Sequence, residues 1–163
     1  WLVLALFGGF ISVNVLSIFE PTMEGHRTIL FFTPLIAAMA GNVGVQSSAI
    51  VVQGLANNSL NGSLWNRLLK ELSLSLLNGS ILAAILILGS HFLLGYPFII
   101  GITVSVALLT VIVIASLVGT FIPIILDKYG IDPALATGPF ITTSNDIMGI
   151  IIYFSIARLV LGI

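Results

Sequence analysis

The stretch Gly138-Pro139-Phe140-Ile141-Thr142-Thr143-Ser144-Asn145-Asp146-Ile147-Met148-Gly149 sets a carboxylate inside an apolar run that continues to Ile163. Asp146 is the only acidic residue of the chain deep within a hydrophobic segment. A central Asp costs a membrane helix roughly 2.5 to 3.5 kcal/mol on insertion scales, so it faces a water-filled path or a partner. At about 100° per residue, Leu135, Pro139, Thr142, Asp146, Ile150 and Tyr153 fall on one helical stripe. Pro139 has no amide hydrogen to give Leu135, and the carbonyl so freed is tolerated at membrane depth only against protein or a wet cavity. Carbonyl and carboxylate oxygens together suit a hard cation. The alternative is a protonated Asp hydrogen-bonded within a helix bundle.

Composition carries the same message outward to the whole chain. Of 163 residues, 58% are hydrophobic and 7% charged, with a mean hydropathy of +1.22. That balance describes an all-α polytopic membrane protein and not a water-soluble domain. A net charge of -1 argues against nucleic acid as a partner. The absence of cysteine removes disulfides, thiolate metal sites and a cysteine nucleophile. No basic stretch precedes Trp1-Leu2-Val3-Leu4, so no signal peptide is evident and the residues are expected to begin inside a longer protein.

Apolar runs separated by polar, charged or Gly/Pro clusters predict five transmembrane helices, near 1–19, 28–56, 68–94, 97–126 and 133–163. Each is long enough to cross about 30 Å of hydrocarbon. In the first, Ser12 and Asn14 are expected to make interhelical hydrogen bonds. In the second, Pro34 is expected to kink the helix and free the Leu30 carbonyl. Gly41, Gly44 and Ser48 then form a small-residue stripe for close packing, while Asn42, Gln46, Ala49 and Gln53 form a neighbouring stripe with three amides. Those amides either bind a ligand or only glue helices together. Trp65 fits an interfacial anchor, and the third helix reads as scaffold. Asp132 and Pro133 look like the N-cap and first turn of the fifth helix. With the amino end cytoplasmic, the inner loops hold Arg67, Lys70 and Lys128 against Arg27 and Arg158 outside, which leaves the carboxyl end external.

Enzyme chemistry fails on inventory. An aspartyl protease needs two acids sharing a proton, and only Asp146 is expected to be buried. A serine hydrolase needs a nearby base, but the two histidines sit near helix ends. A cation path fits better. One carboxylate half-neutralises a divalent ion, whereas two chains about a twofold axis supply two carboxylates and balance it. Magnesium, which gives up water reluctantly, suits such a sparse oxygen site better than calcium.

Three motifs carry a resemblance: Gly41-Asn42-x-Gly44-x-Gln46-Ser47, Asp132-Pro133-Ala134-Leu135, and Gly138-Pro139-Phe140-Ile141-Thr142-Thr143-x-x-Asp146-x-x-Gly149. With them the chain resembles the transmembrane domain of the MgtE family of magnesium channels over essentially its whole length. The resemblance implies a homodimer in the cell membrane, with the ion path between subunits and lined by the second and fifth helices. Asp146 then matches the acid that holds a largely hydrated magnesium ion, with manganese or other divalent cations as further candidates. Gly41, Val45 and Ala49 match lining positions of the second helix, and Leu135, Gly138 and Thr142 those of the fifth. Asn42, Gln46 and Pro139 border the same path. Asp132 matches an acidic position at the cytoplasmic mouth, where family members couple to regulatory domains, here expected outside these residues. Val45 and Ala49 stand where many relatives carry Asn and Thr, so this lining is more apolar. A transporter coupled to sodium or protons, or a non-conducting structural subunit, are the competing readings.

Overall fold

The computed structural model describes residues 2–59, 63–136 and 138–162, and among them every regular element is helical. Helix α1 (Leu2–Phe19) leads into a 3-10 helix (Glu20–His26). A short α2 (Thr28–Phe31) and α3 (Thr33–Ala56) make one interrupted span, followed by α4 (Leu64–Phe92) and α5 (Phe98–Lys128). A 3-10 turn (Pro133–Ala136) then precedes α6 (Pro139–Leu161). With α2 and α3 taken together, five segments are long and apolar enough to cross a membrane. The chain is therefore an all-helical, multi-pass membrane protein.

Two boundaries differ from expectation by more than two residues, each for a local reason. The last long helix begins at Pro139 and not at 133, because Gly138 takes φ +80°, a conformation through which no α-helix continues. Pro133–Ala136 is a separate turn, capped by Asp132, whose Oδ1 accepts the Ala134 amide at 2.9 Å. Leu135 therefore lies off the α6 stripe, and Pro139, as the first helical residue, frees no carbonyl of an earlier turn. Helix α4 starts four residues early, at Leu64, since the Ser63 hydroxyl accepts the Asn66 amide at 3.3 Å as an N-cap. Trp65, Asn66 and Arg67 are thus helical and not loop.

The break in the second span falls at Phe32, two residues ahead of Pro34. Pro34 occupies the first turn of α3, where its missing N–H leaves nothing unsatisfied. At the break the Phe32 amide closes onto the Ile29 carbonyl at 3.1 Å, and the Tyr153 hydroxyl donates to the same carbonyl at 2.6 Å. The carbonyl that gains a side-chain partner is Ile29's, where Leu30's was expected to be free.

Helix α5 is the centrepost, packed against α3, α4 and α6, while α1 lies against α6. Its buried residues, including Val104, Ala107, Leu108, Val111, Ala115, Gly119 and Thr120, recur every three or four positions, which turns a broad face inward. That face meets Ile36 and Ala40 of α3 and Ile150, Tyr153 and Phe154 of α6 in one core cluster. Lipid tails are as apolar as leucine, so such contacts are stabilised by close packing more than by expulsion of water. Small residues sit where backbones cross: Gly119 abuts the Gly44 carbonyl, and Gly149 abuts Ala40. Asn14 does not bridge helices as expected; its Nδ2 donates to Phe10 O of its own helix at 2.8 Å.

Candidate cation-binding groove

The polar residues singled out in the sequence converge on a cavity of about 710 Å³ between α1, α3 and α6. Helix α3 contributes Asn42, Val45 and Gln46, and α6 with its preceding residue contributes Gly138, Pro139, Thr142, Thr143 and Asp146. Ala5, Gly9 and Ser12 of α1 complete the lining. Gly41, Ala49 and Leu135 do not line it; Gly41 is buried behind Asp146, Ala49 is half-buried on α3, and Leu135 is exposed on the 3-10 turn. Asp132 is exposed beside that turn. Gln53 is exposed on the same side of α3 as Asn42 and Gln46, so three amides share one uncovered face.

The local backbone explains why these groups meet. Gly138 at positive φ turns the chain from the 3-10 turn into α6, and its carbonyl accepts both the Thr142 amide at 3.0 Å and the Thr142 hydroxyl at 3.1 Å. With its proton held by its own helix, the Thr142 oxygen keeps lone pairs for another donor, such as a metal-bound water. One turn on, Asp146 is half-buried and faces α3 at Gly41. A Cβ on residue 41 would lie 3.0 Å from Asp146 Oδ1 and 3.1 Å from Thr142 Cγ2, so the glycine makes room for the carboxylate. Among the described residues no lysine, arginine or histidine lines the groove.

This is a donor set of one carboxylate, two carboxamides and the hydroxyls of Ser12, Thr142 and Thr143, all offering hard oxygens. Among the described residues no group of three or more His, Cys, Asp or Glu lies together, so one chain offers no all-protein cage for a metal. A second cavity, of about 610 Å³ between α4, α5 and α6, is walled by groups such as Trp65, Leu72, Phe121 and Met148 and has nothing to offer a cation.

Two polar features were not singled out from sequence. Glu71 lies in the second turn of α4, where its Oε1 accepts the Ser47 hydroxyl of α3 at 2.7 Å. The signal was the serine N-cap at Ser63, which moves the helix start back. Asn145 is 1% exposed beside Gly44, and neither its Nδ2 nor its Oδ1 has a partner within the chain. Burial without a partner costs such a group about 1 to 3 kcal/mol.

Comparison with known proteins agrees with this inventory. The model of the MgtE family, described as a divalent cation transporter, matches residues 33–156. The chain is 39% identical over 158 residues to a magnesium transporter MgtE of Bacillus subtilis, covering 96% of the chain and 35% of that protein. It is 35% identical to the magnesium transporter MgtE of Thermus thermophilus, covering 99% of the chain and 36% of that protein. It is also 35% identical to that of Enterococcus faecalis, covering 98% and 35%. The chain thus spans about a third of the length of the curated relatives it matches. With the family model matched across most of its helices, from the first turn of α3 to the last turns of α6, the chain belongs to the MgtE family of divalent cation transporters.

Proposed function

We propose that this chain moves magnesium across the membrane as a homodimer, with Asp146 of each subunit holding a largely hydrated ion at the shared face. The observation that carries the reading is the carboxylate seated against Gly41 in an open, oxygen-lined groove without a basic side chain. One carboxylate leaves a divalent ion half neutralised, and a twofold copy supplies the second. The uncovered amides of Asn42, Gln46 and Gln53 support the same arrangement, because a polar helix face at membrane depth needs a partner or water. Magnesium keeps several waters when bound, and those waters find acceptors in Thr142 and the carboxamides. Manganese, with the same preference for oxygen donors, is an expected competitor.

On this reading Asp132 stands at the cytoplasmic mouth, the amino end is cytoplasmic and the carboxyl end external. The greater length of the relatives is consistent with regulatory domains outside these residues. The experiment is magnesium uptake into liposomes by the parent and by Asp146→Ala, with crosslinking to report the dimer. The expected result is loss of uptake with the dimer intact; undiminished uptake overturns the proposal. Flux that persists without a sodium or proton gradient distinguishes a channel from a coupled transporter.

A further inference from the structure

Asn145 is the most demanding group in the protein that the proposed ion path does not use. It is 1% exposed and has both carboxamide atoms unpartnered within the chain. It points at the crossing of α3, α5 and α6: a Cβ on Gly44 would lie 2.9 Å from Asn145 Cγ and 3.0 Å from Ile141 Cγ2, and Gly119 of α5 abuts the Gly44 carbonyl.

Two further buried hydroxyls lie close to these glycines along their helices. Ser48 follows Gly44 by one helical turn, and Thr120 follows Gly119 directly. Both are buried, at 0% and 1% exposure, and neither hydroxyl has a partner within the chain. The Ser105 and Thr33 hydroxyls are likewise buried without a partner within the chain, but three other buried hydroxyls behave differently. Ser90, Thr103 and Ser116 return their protons to carbonyls of their own helices at 2.9, 2.7 and 3.1 Å. The groups about Gly44 decline this ordinary solution, although the carbonyls one turn back are part of the same helices.

We propose that this crossing binds ordered water on Asn145, and that the hydrated brace makes Asn145 a positioning residue for Asp146. The chemistry selects water over a cation. The carboxamide presents a donor and an acceptor, as does each hydroxyl, and only a ligand that both accepts and donates satisfies them all. A cation would serve Oδ1 and be repelled by the amide hydrogens on Nδ2. The consequence for Asp146 follows from helix geometry. Adjacent residues point about 100° apart, so clamping Asn145 between α3 and α5 fixes the rotation of α6 that presents Asp146 to Gly41. This second part rests on the proposed role of Asp146.

The parent protein itself tests the hydration. A high-resolution structure in magnesium is expected to contain water within hydrogen-bonding distance of Asn145 and of Ser48 or Thr120. An Asn145 amide bonded only to protein groups, with no water, overturns it. The positioning role is tested with an isosteric pair, Asn145→Thr and Asn145→Val, which differ by the hydroxyl that can hold the water. The half-saturating magnesium concentration for uptake is expected to be about tenfold higher in Asn145→Val than in Asn145→Thr, at similar maximal rate. Equal half-saturation in the pair overturns the positioning role, and if Asn145→Val does not fold, the water in the parent structure decides the proposal. Uptake that survives Asp146→Ala in the same liposomes removes the ion-path reading and the positioning claim together, while the water density still decides the hydration.

Discussion

Asp146 Oδ1 lies against the bare Cα of Gly41, so close that a methyl group on residue 41 would stand 3.0 Å from it. The two residues come from segments more than one hundred positions apart, yet each makes sense only beside the other. The glycine gives the carboxylate a place at the helix crossing that stays open to the groove. The carboxylate in turn accounts for a glycine that would otherwise weaken a helix interior by about 1 kcal/mol relative to alanine.

Gly41→Ala is accordingly expected to push the carboxylate out of position without unfolding the bundle. The neighbours of the new Cβ are the ends of the Asp146 and Thr142 side chains, not backbone, so the fold has room to yield. Magnesium uptake should fall by about tenfold or more, as when groups that orient a metal ligand are lost. Gly89→Ala is the control: it lies in α4 outside the groove, a Cβ there meets nothing within 4 Å, and uptake should match the parent. Equal uptake in the parent and Gly41→Ala would show that this contact does not set the site.

Gly119→Ala is a different kind of lesion. Here a Cβ would run into the carbonyl oxygen of Gly44 and lie 3.1 Å from its carbon and 3.2 Å from its Cα. Backbone cannot rotate aside as a side chain does, so α3 and α5 must separate, at an expected cost of about 1 to 3 kcal/mol. The readout is a lowered thermal unfolding midpoint in detergent. Gly89→Ala, in α4 with open space around it, should leave the midpoint unchanged or slightly raised. A midpoint for Gly119→Ala equal to that of the parent would mean that the α3–α5 crossing is not closely packed.

The five spans and the polar face of the groove were legible because hydropathy and helical period act within single segments. Asn42, Gln46, Thr142 and Asp146 stand out in apolar surroundings, and spacing alone sets them on definite faces. The start of α6 was less legible. Asp132-Pro133 is as good a helix opening as Gly138-Pro139, and the choice depends on Gly138 taking positive φ, which sequence permits but does not require. Asn145 was missed for another reason. Its place beside Asp146 in the sequence says nothing of its burial, and only the crossing with Gly44 makes it a buried group without a partner. Ser47 with Glu71 is similar, since a pair between helices 24 positions apart has no periodic signal.

Tyr153→Phe tests how the interrupted second span is held. The Tyr153 hydroxyl crosses from α6 to the Ile29 carbonyl at 2.6 Å, in a site where Tyr153 and Ile29 are both 0% exposed. The Ile29 carbonyl also accepts the Phe32 amide at 3.1 Å, so the phenylalanine variant leaves it one partner and not none. The loss should therefore sit near the ordinary net value of a hydrogen bond, about 1 kcal/mol, and below the cost of a wholly orphaned group. The ring keeps its neighbours, Phe154 at a centroid distance of 4.9 Å among them, so packing is conserved and the change isolates the hydroxyl. The expected outcome is a modest fall in the unfolding midpoint and faster amide exchange at Phe32. The magnesium dependence of uptake should be unaltered, since Tyr153 does not line the groove. Unchanged exchange at Phe32 would mean that the break is held by the α2 and α3 backbone alone, with α6 only packed beside it.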